Sequence, residues 1–164
     1  MIRIDLLHKQ KIKWEGITDF PEFYKYLKLW LQDNGYAKER SLEKKYIERA
    51  KPEGKKQVEI AWESKKSKSE FFDYHIDMTI LILNMSDIEV QQEDGSKRKM
   101  QKGTFEVRVS SYITSTEKWN QLKGLQKLYL DFFIRKRIDL YLEELYKKST
   151  SFHSYVKSLL GLRD

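Results

Sequence analysis

Three residues in one short run have the types and spacing for acid–base or metal chemistry: Asp73, His75 and Asp77. Side chains two apart in an extended segment point to the same side. A strand here would therefore set two carboxylates around one imidazole, and Glu59 or Glu63 on a neighbouring strand would add a third. Carboxylates so placed can raise an imidazole pKa for proton transfer, or help hold a metal ion. The competing reading is the polar side of an amphipathic strand, open to water. That reading is preferred, because catalysis needs a pocket and a flat sheet face offers none. The trio is kept as a candidate, and no catalytic residue is assigned.

Other chemistries find less support. His8, His75 and His153 are scattered, and none has a His or Cys partner at metal-ligand spacing. There is no cysteine, hence no disulfide framework and no thiolate nucleophile. The glycines are isolated and no phosphate-binding loop is formed. Ser110, Ser111, Ser149, Ser151 and Ser154 lack the strand–turn–helix context of a nucleophile elbow; Ser149 and Ser151 read as helix-capping residues. No metal and no cofactor are expected, and an enzyme is the least favoured class.

Charge says more. Against 25 acidic residues stand 32 Lys and Arg, for a net charge of +7. Successive turns of a meander alternate between its two ends, so the turns at Lys51-Pro52-Glu53-Gly54 and at Asp94-Gly95 fall at the same end. That end would gather Lys51, Lys55, Lys56, Lys97, Arg98 and Lys99 into an anion-binding rim, and a final helix would add Lys147 and Lys148. Expected partners are nucleic acid, an anionic membrane surface or an acidic protein, met by charge and without sequence readout. The plainer alternative is that Lys at hairpin tips protects sheet edges. Tyr24, Tyr26, Trp30, Tyr36, Phe71, Tyr74 and Tyr129 could stack on bases, but most fall on apolar stripes and read as core.

The elements that position these groups follow from periodicity. Ile2, Ile4 and Leu6 alternate as a short first strand, with Trp14 a possible anchor in the polar stretch after it. Asp19, Pro21 and Glu22 start a helix whose stripe is Phe20, Phe23, Leu27, Trp30 and Leu31, and Gly35 ends it. Residues 41–50 suit helix or strand, and strand is chosen because Pro52 to Gly54 reads as a turn into the next strand. Val58, Ile60 and Trp62, then Phe72 to Ile80 at even positions, then Phe105, Val107 and Val109, form one apolar sheet face. Thr114 with Glu117 reads as a capping box opening a long helix from Glu117 to Tyr146, which Gly124 could break. Ser149 to Ser151 interrupts it before a short last helix carrying Phe152, Tyr155, Val156 and Leu159. Leu128 to Ile134 is apolar almost all round, so the last helix, or a second copy in a homodimer, should cover it.

The fold class expected is α+β: an antiparallel β-meander packed against an N-terminal helix and a long C-terminal helix, one domain over 1–164. No run approaches a membrane span and the first six residues lack a signal-peptide core, so a cytoplasmic protein is expected. The element order resembles helix-grip (START-like) domains, which implies an apolar cavity between sheet and helix and a role as carrier of a small apolar ligand. The stretches Tyr46-Ile47-Glu48, Val58 to Glu63 with Lys65, Phe71 to Ile76 and Gly103 to Val107 resemble small uncharacterised archaeal α+β proteins, a likeness that implies no activity. The function expected first is a non-enzymatic binding or accessory domain.

Overall fold

A computed structural model describes residues 1–37 and 42–162; Ser41, at the start of the ambiguous segment, lies outside them. Five strands form one antiparallel sheet: β1 (Arg3–Thr18), β2 (Glu43–Ala50), β3 (Lys56–Ser67), β4 (Phe72–Gln91) and β5 (Lys97–Ser115). Helix α1 (Phe20–Asp33) joins β1 to β2, and α2 (Glu117–Asn120) and α3 (Gly124–Leu159) follow β5. The spatial order is β1-β5-β4-β3-β2, so the first strand closes against the last. Residues 43–50 are strand, as expected.

The alternation places the core. Trp62 lies opposite Met78, Ile60 opposite Ile80, Met78 opposite Val109, and Ile80 opposite Val107. Val58, Ile60, Trp62, Tyr74, Ile76, Met78, Phe105, Val107 and Val109 are all buried on this face. Phe23, Leu27 and Leu31 of α1 and Leu145, Phe152 and Val156 of α3 cover it. Each large side chain so buried contributes roughly 1.5–3 kcal/mol.

Asp19 caps α1 by accepting from the Glu22 amide at 3.1 Å. The Glu22 carboxylate turns to Arg98 at 2.9 Å, so the cap is anchored to β5. Strand β1 is far longer than the three alternating apolar residues suggested. Its second half, Lys11 to Thr18, pairs with β5 through Ile12↔Val107 and Trp14↔Phe105. At an edge, lysines can point to water while the ladder to β5 holds the strand, so the apolar signal is sparse. Its register shifts twice between Asp5 and Gln10, and Lys9 takes a positive φ of 47° with its amide on Ser110 Oγ.

The β4–β5 hairpin overhangs the sheet. Pairing of β4 with β3 ends at Met85, whereas pairing with β5 continues from Ser86 to Gln91. The ladder slips between Leu83 and Ser86, where Asn84 has a φ of 53°. Gly103 faces this slip. A Cβ there would lie 3.1 Å from the Leu83 carbonyl oxygen and 3.3 Å from Met85 Cα.

At the C-terminus the cap at Thr114 and the interruption at Ser149 to Ser151 are corrected, while the break expected at Gly124 is present. Thr114 belongs to β5 and bonds across the sheet to His75, while Thr116 is the residue preceding α2. The helix breaks before Gly124, whose φ is 69°. From there α3 runs 36 residues without interruption, about 54 Å at 1.5 Å per residue. Ser149 and Thr150 do not end it, because their hydroxyls donate back to the Leu145 and Tyr146 carbonyls at 2.8 and 2.7 Å; hydroxyls so satisfied are tolerated within a helix. Ser149 is buried in the packed face and caps nothing.

Candidate functional site

The outer face of the sheet carries Asp73, His75 and Asp77. The His75 ring is stacked on Tyr112 of β5, with centroids 4.5 Å apart and planes 6° apart. Above the same Tyr112 ring sits the Arg3 guanidinium, 3.8 Å from the centroid. Tyr112 donates its hydroxyl proton to Asp77 Oδ2 at 2.9 Å, and His75 Nε2 lies 2.7 Å from Thr114 Oγ1. Three strands thus build one polar layer of Arg3, Tyr112, His75 and Asp77. Glu63 joins it as the partner of Asp77 across the β3–β4 ladder. Glu59 does not: it lies opposite Leu81 and binds Lys45 at 2.6 Å and Arg49 at 3.2 Å. Asp73 is opposite Ser67 and Thr114, further along the strand.

Electrostatics decide what this layer can do. Burial, then Lys65 and Arg3, push His75 down to about 4. Burial, with Glu63 nearby, raises the Asp77 carboxyl above its usual range despite the Tyr112 hydrogen bond. Burial and Asp77 also raise the Tyr112 hydroxyl. His75 is therefore neutral at pH 7 and held between ring and hydroxyl. A general acid–base works best with a pKa near the working pH, and this imidazole has been moved the other way. Asp77 Oδ1 is buried with no protein hydrogen-bond partner. Beside it, a cleft of about 320 Å³ at the β1 bulge is lined by Arg3, Lys9, Arg108 and Ser110 among others. Among the described residues, no group of three or more His, Asp or Glu side chains is placed to hold a metal ion.

Arg3 and Tyr112 are the members of this layer that sequence reasoning missed. The signal for Tyr112 was present: Glu106, Arg108 and Ser110 face outward, and continuing the alternation puts Tyr112 outward too. Arg3 had no such signal, because its position depends on β1 pairing with a strand about a hundred residues away.

The turns at Pro52 and at Asp94-Gly95 lie at one end of the sheet, since Lys56 pairs with Met85 and the β4–β5 ladder continues beyond it. Arg98 binds both Asp19 and Glu22. Lys99 lies 3.3 Å from Asp87, and Lys97 and Lys56 lie 3.9 Å from Glu89 and Glu48. Lys51 and Lys55 flank the exposed turn at Pro52 to Gly54. Lys148 does not reach this end. It donates to Asn34 at 2.9 Å, at the far end of α1 from the Asp19–Arg98 pair, and Lys147 pairs with Glu143 one turn away. The stacking candidates Tyr24, Trp30, Tyr36, Phe71 and Tyr74 pack in or against the core.

Among the described residues, exposed large apolar side chains are concentrated on α3. Its buried residues, Leu145, Ser149, Phe152 and Val156, all lie in its second half. The first part of the helix, 124–140, nearly five turns, forms an arm. On the arm's inner side Leu130, Ile134 and Ile138 rest against the core. Its outer side exposes Leu125 (85%), Tyr129 (64%), Phe132 (58%) and Leu140 (63%), and its two flanks expose Leu128 (67%) and Phe133 (41%). The expectation that a last short helix would cover this segment is overturned, since Phe152 and Val156 continue the same helix and are buried elsewhere. Clefts run along both flanks, one between the arm and Met1, Ile2 and Trp119, the other between it and Glu70 and Phe71.

No helix among the described residues is long and apolar enough to cross a membrane. No known protein-family model matches the chain, and no curated protein is significantly similar to it.

Proposed function

We propose that this chain is a non-enzymatic binding domain whose docking element is the arm of α3. One observation carries the reading: six large apolar side chains stand open on the outer side and flanks of one helical segment. Taking roughly 200 Å² for each, they expose on the order of 700 Å², above the 300–600 Å² of the largest patch on a typical monomer. The partner is a protein surface. An interfacial membrane helix keeps a polar face in water, but here Asp131, Arg135, Lys136 and Arg137 are interspersed with the apolar residues around the whole circumference.

The hairpin tips are the weaker candidate for docking, because most of their cations already face a carboxylate of the same chain. The element order supports the helix-grip likeness, with β1 beside β5 and α3 on the sheet. A carrier of that kind would need open space where Phe23, Trp62, Phe105 and Phe152 are packed. The acid–base reading of His75 would need a ring pKa nearer neutrality than about 4.

The test is the double substitution Leu128→Glu with Phe132→Glu, followed in dilute solution by urea unfolding and by a dye that fluoresces on apolar surface. The variant should lose the dye signal and keep the unfolding free energy within about 0.5 kcal/mol, as for surface sites. A loss above about 2 kcal/mol would mean the arm belongs to the monomer's own core, and the reading would fail.

A further inference from the structure

The geometry points to a second copy of this chain as the occupant of the arm, the two arms pairing antiparallel about a two-fold axis near Phe132 and Phe133. This rests on the arm being the docking element, and it deepens that reading by naming the partner.

At 100° per residue, Leu125, Tyr129, Phe132, Lys136 and Leu140 form one stripe facing away from Leu145 and Phe152, which are buried. The stripe reads nearly the same from either end. Reversed on itself, Leu125 meets Leu140, Tyr129 meets Lys136, and Phe132 and Phe133 of the two copies gather around the axis, Phe132 level with Phe133. A lysine over an aromatic ring is attractive, and Lys136 already sits 4.7 Å from the Phe132 ring. On one flank, Asp131 and Arg135 are 3.5 Å apart within the helix. That pair is satisfied within its own helix and Asp131 lines the cleft beside Met1 and Trp119, so the charge that meets the other copy is Lys136 on the Tyr129 ring. A parallel arrangement would instead stack Lys136 on Lys136.

The area fits as well. Two arms, each with on the order of 700 Å² of exposed apolar side chain, approach the roughly 800 Å² per partner of a standard stable interface. The clefts beside Trp119 and beside Phe71 leave room for the second helix to settle against either flank. Isologous pairing of one surface with itself is the commonest form of protein self-association.

The chain has no cysteine, so single introduced cysteines report the geometry directly. In a mild oxidant Phe132→Cys should cross-link to itself, because residues near the two-fold axis come within the 4.4–6.8 Å Cα separation a disulfide needs. Leu125→Cys alone should not, because its own copy lies about 22 Å away along the helix, fifteen residues at 1.5 Å each. A mixture of Leu125→Cys and Leu140→Cys should form the mixed dimer. In sedimentation the cysteine-free protein should be a dimer at about 0.1 mM, and Phe132→Glu should weaken association at least about 100-fold, as loss of a central aromatic anchor does. A strict monomer at that concentration overturns the inference, and so does Leu125→Cys linking to itself as readily as Phe132→Cys, the parallel result. If the chain is monomeric while the arm variants leave unfolding unchanged, self-pairing is wrong and the docking role of the arm stands. If those variants destabilise the monomer, both fall.

Discussion

Replacing His75 by Phe should make the protein less sensitive to acid. In the fold the imidazole titrates at about 4, against an ordinary 6.5. The unfolded chain therefore takes up the proton first as pH falls. The stability tied to neutral His75 is complete above 6.5, declines as the pH drops through 6.5, and is gone below about 4. The gap is worth roughly 3 kcal/mol at full burial. The ring is only partly covered, so screening reduces this to about 2 kcal/mol. The charged groups around it are Arg3 from β1, Glu63 and Lys65 from β3, and Asp73 and Asp77 on its own strand. Asp77 has the opposite sign: its carboxyl is raised, so acidification relieves a cost there and offsets part of the loss. The difference between wild type and His75→Phe isolates the histidine, since Phe retains the stack on Tyr112. At pH 7.5 the variant should lose about 1 kcal/mol with the Thr114 hydrogen bond. Urea unfolding at pH 7.5 and pH 4.5 would measure both. Parallel pH curves for the two proteins would refute the argument, as would a His75 ring titrating near 6.5 by NMR in the folded state.

Trp62→Ala should cost roughly 3–5 kcal/mol by urea unfolding, because the ring is 1% exposed at the centre of the sheet face. Gly103→Ala should destabilise by about 1–2 kcal/mol, because the added methyl presses on the Leu83 and Met85 backbone at the ladder slip; an unchanged midpoint would mean the slip can relax. Charge-driven binding of generic DNA, RNA or anionic vesicles to the hairpin tips should fall steeply with salt, on double-stranded DNA at a slope of about 0.9 per phosphate neutralised. Substituting Lys51, Lys55, Lys97 and Lys99 with Gln should flatten that slope. Association through the arm is apolar and should persist at about 0.5 M salt, where exposed charges are largely screened.

What was legible in the sequence was the part governed by local rules. The period of two in β3, β4 and β5 assigns the buried face, since slipping by one residue would expose Trp62 and Ile76 together. Asp19, Pro21 and Gly35 delimit α1 because free helix ends and a left-handed turn need those residue types. The apolar circumference of Leu128 to Ile134 announced an unmet surface. Tertiary structure decided the rest. The length of β1 and the place of Arg3 depend on pairing with β5, whose partner residues lie some hundred positions away, and an edge strand needs few apolar residues. Thr114 and Glu117 match a capping box in sequence, but cross-strand bonding claims Thr114 for the sheet. Ser149 to Ser151 resembles a helix stop, yet hydroxyls that bond back to carbonyls let α3 continue, so the residues expected to fold back over the arm extend away from it in the same helix. The pairing of Arg98 with Asp19 and Glu22 joins residues about eighty positions apart, so a count of lysines and arginines showed the rim's charge without showing how much of it was already neutralised.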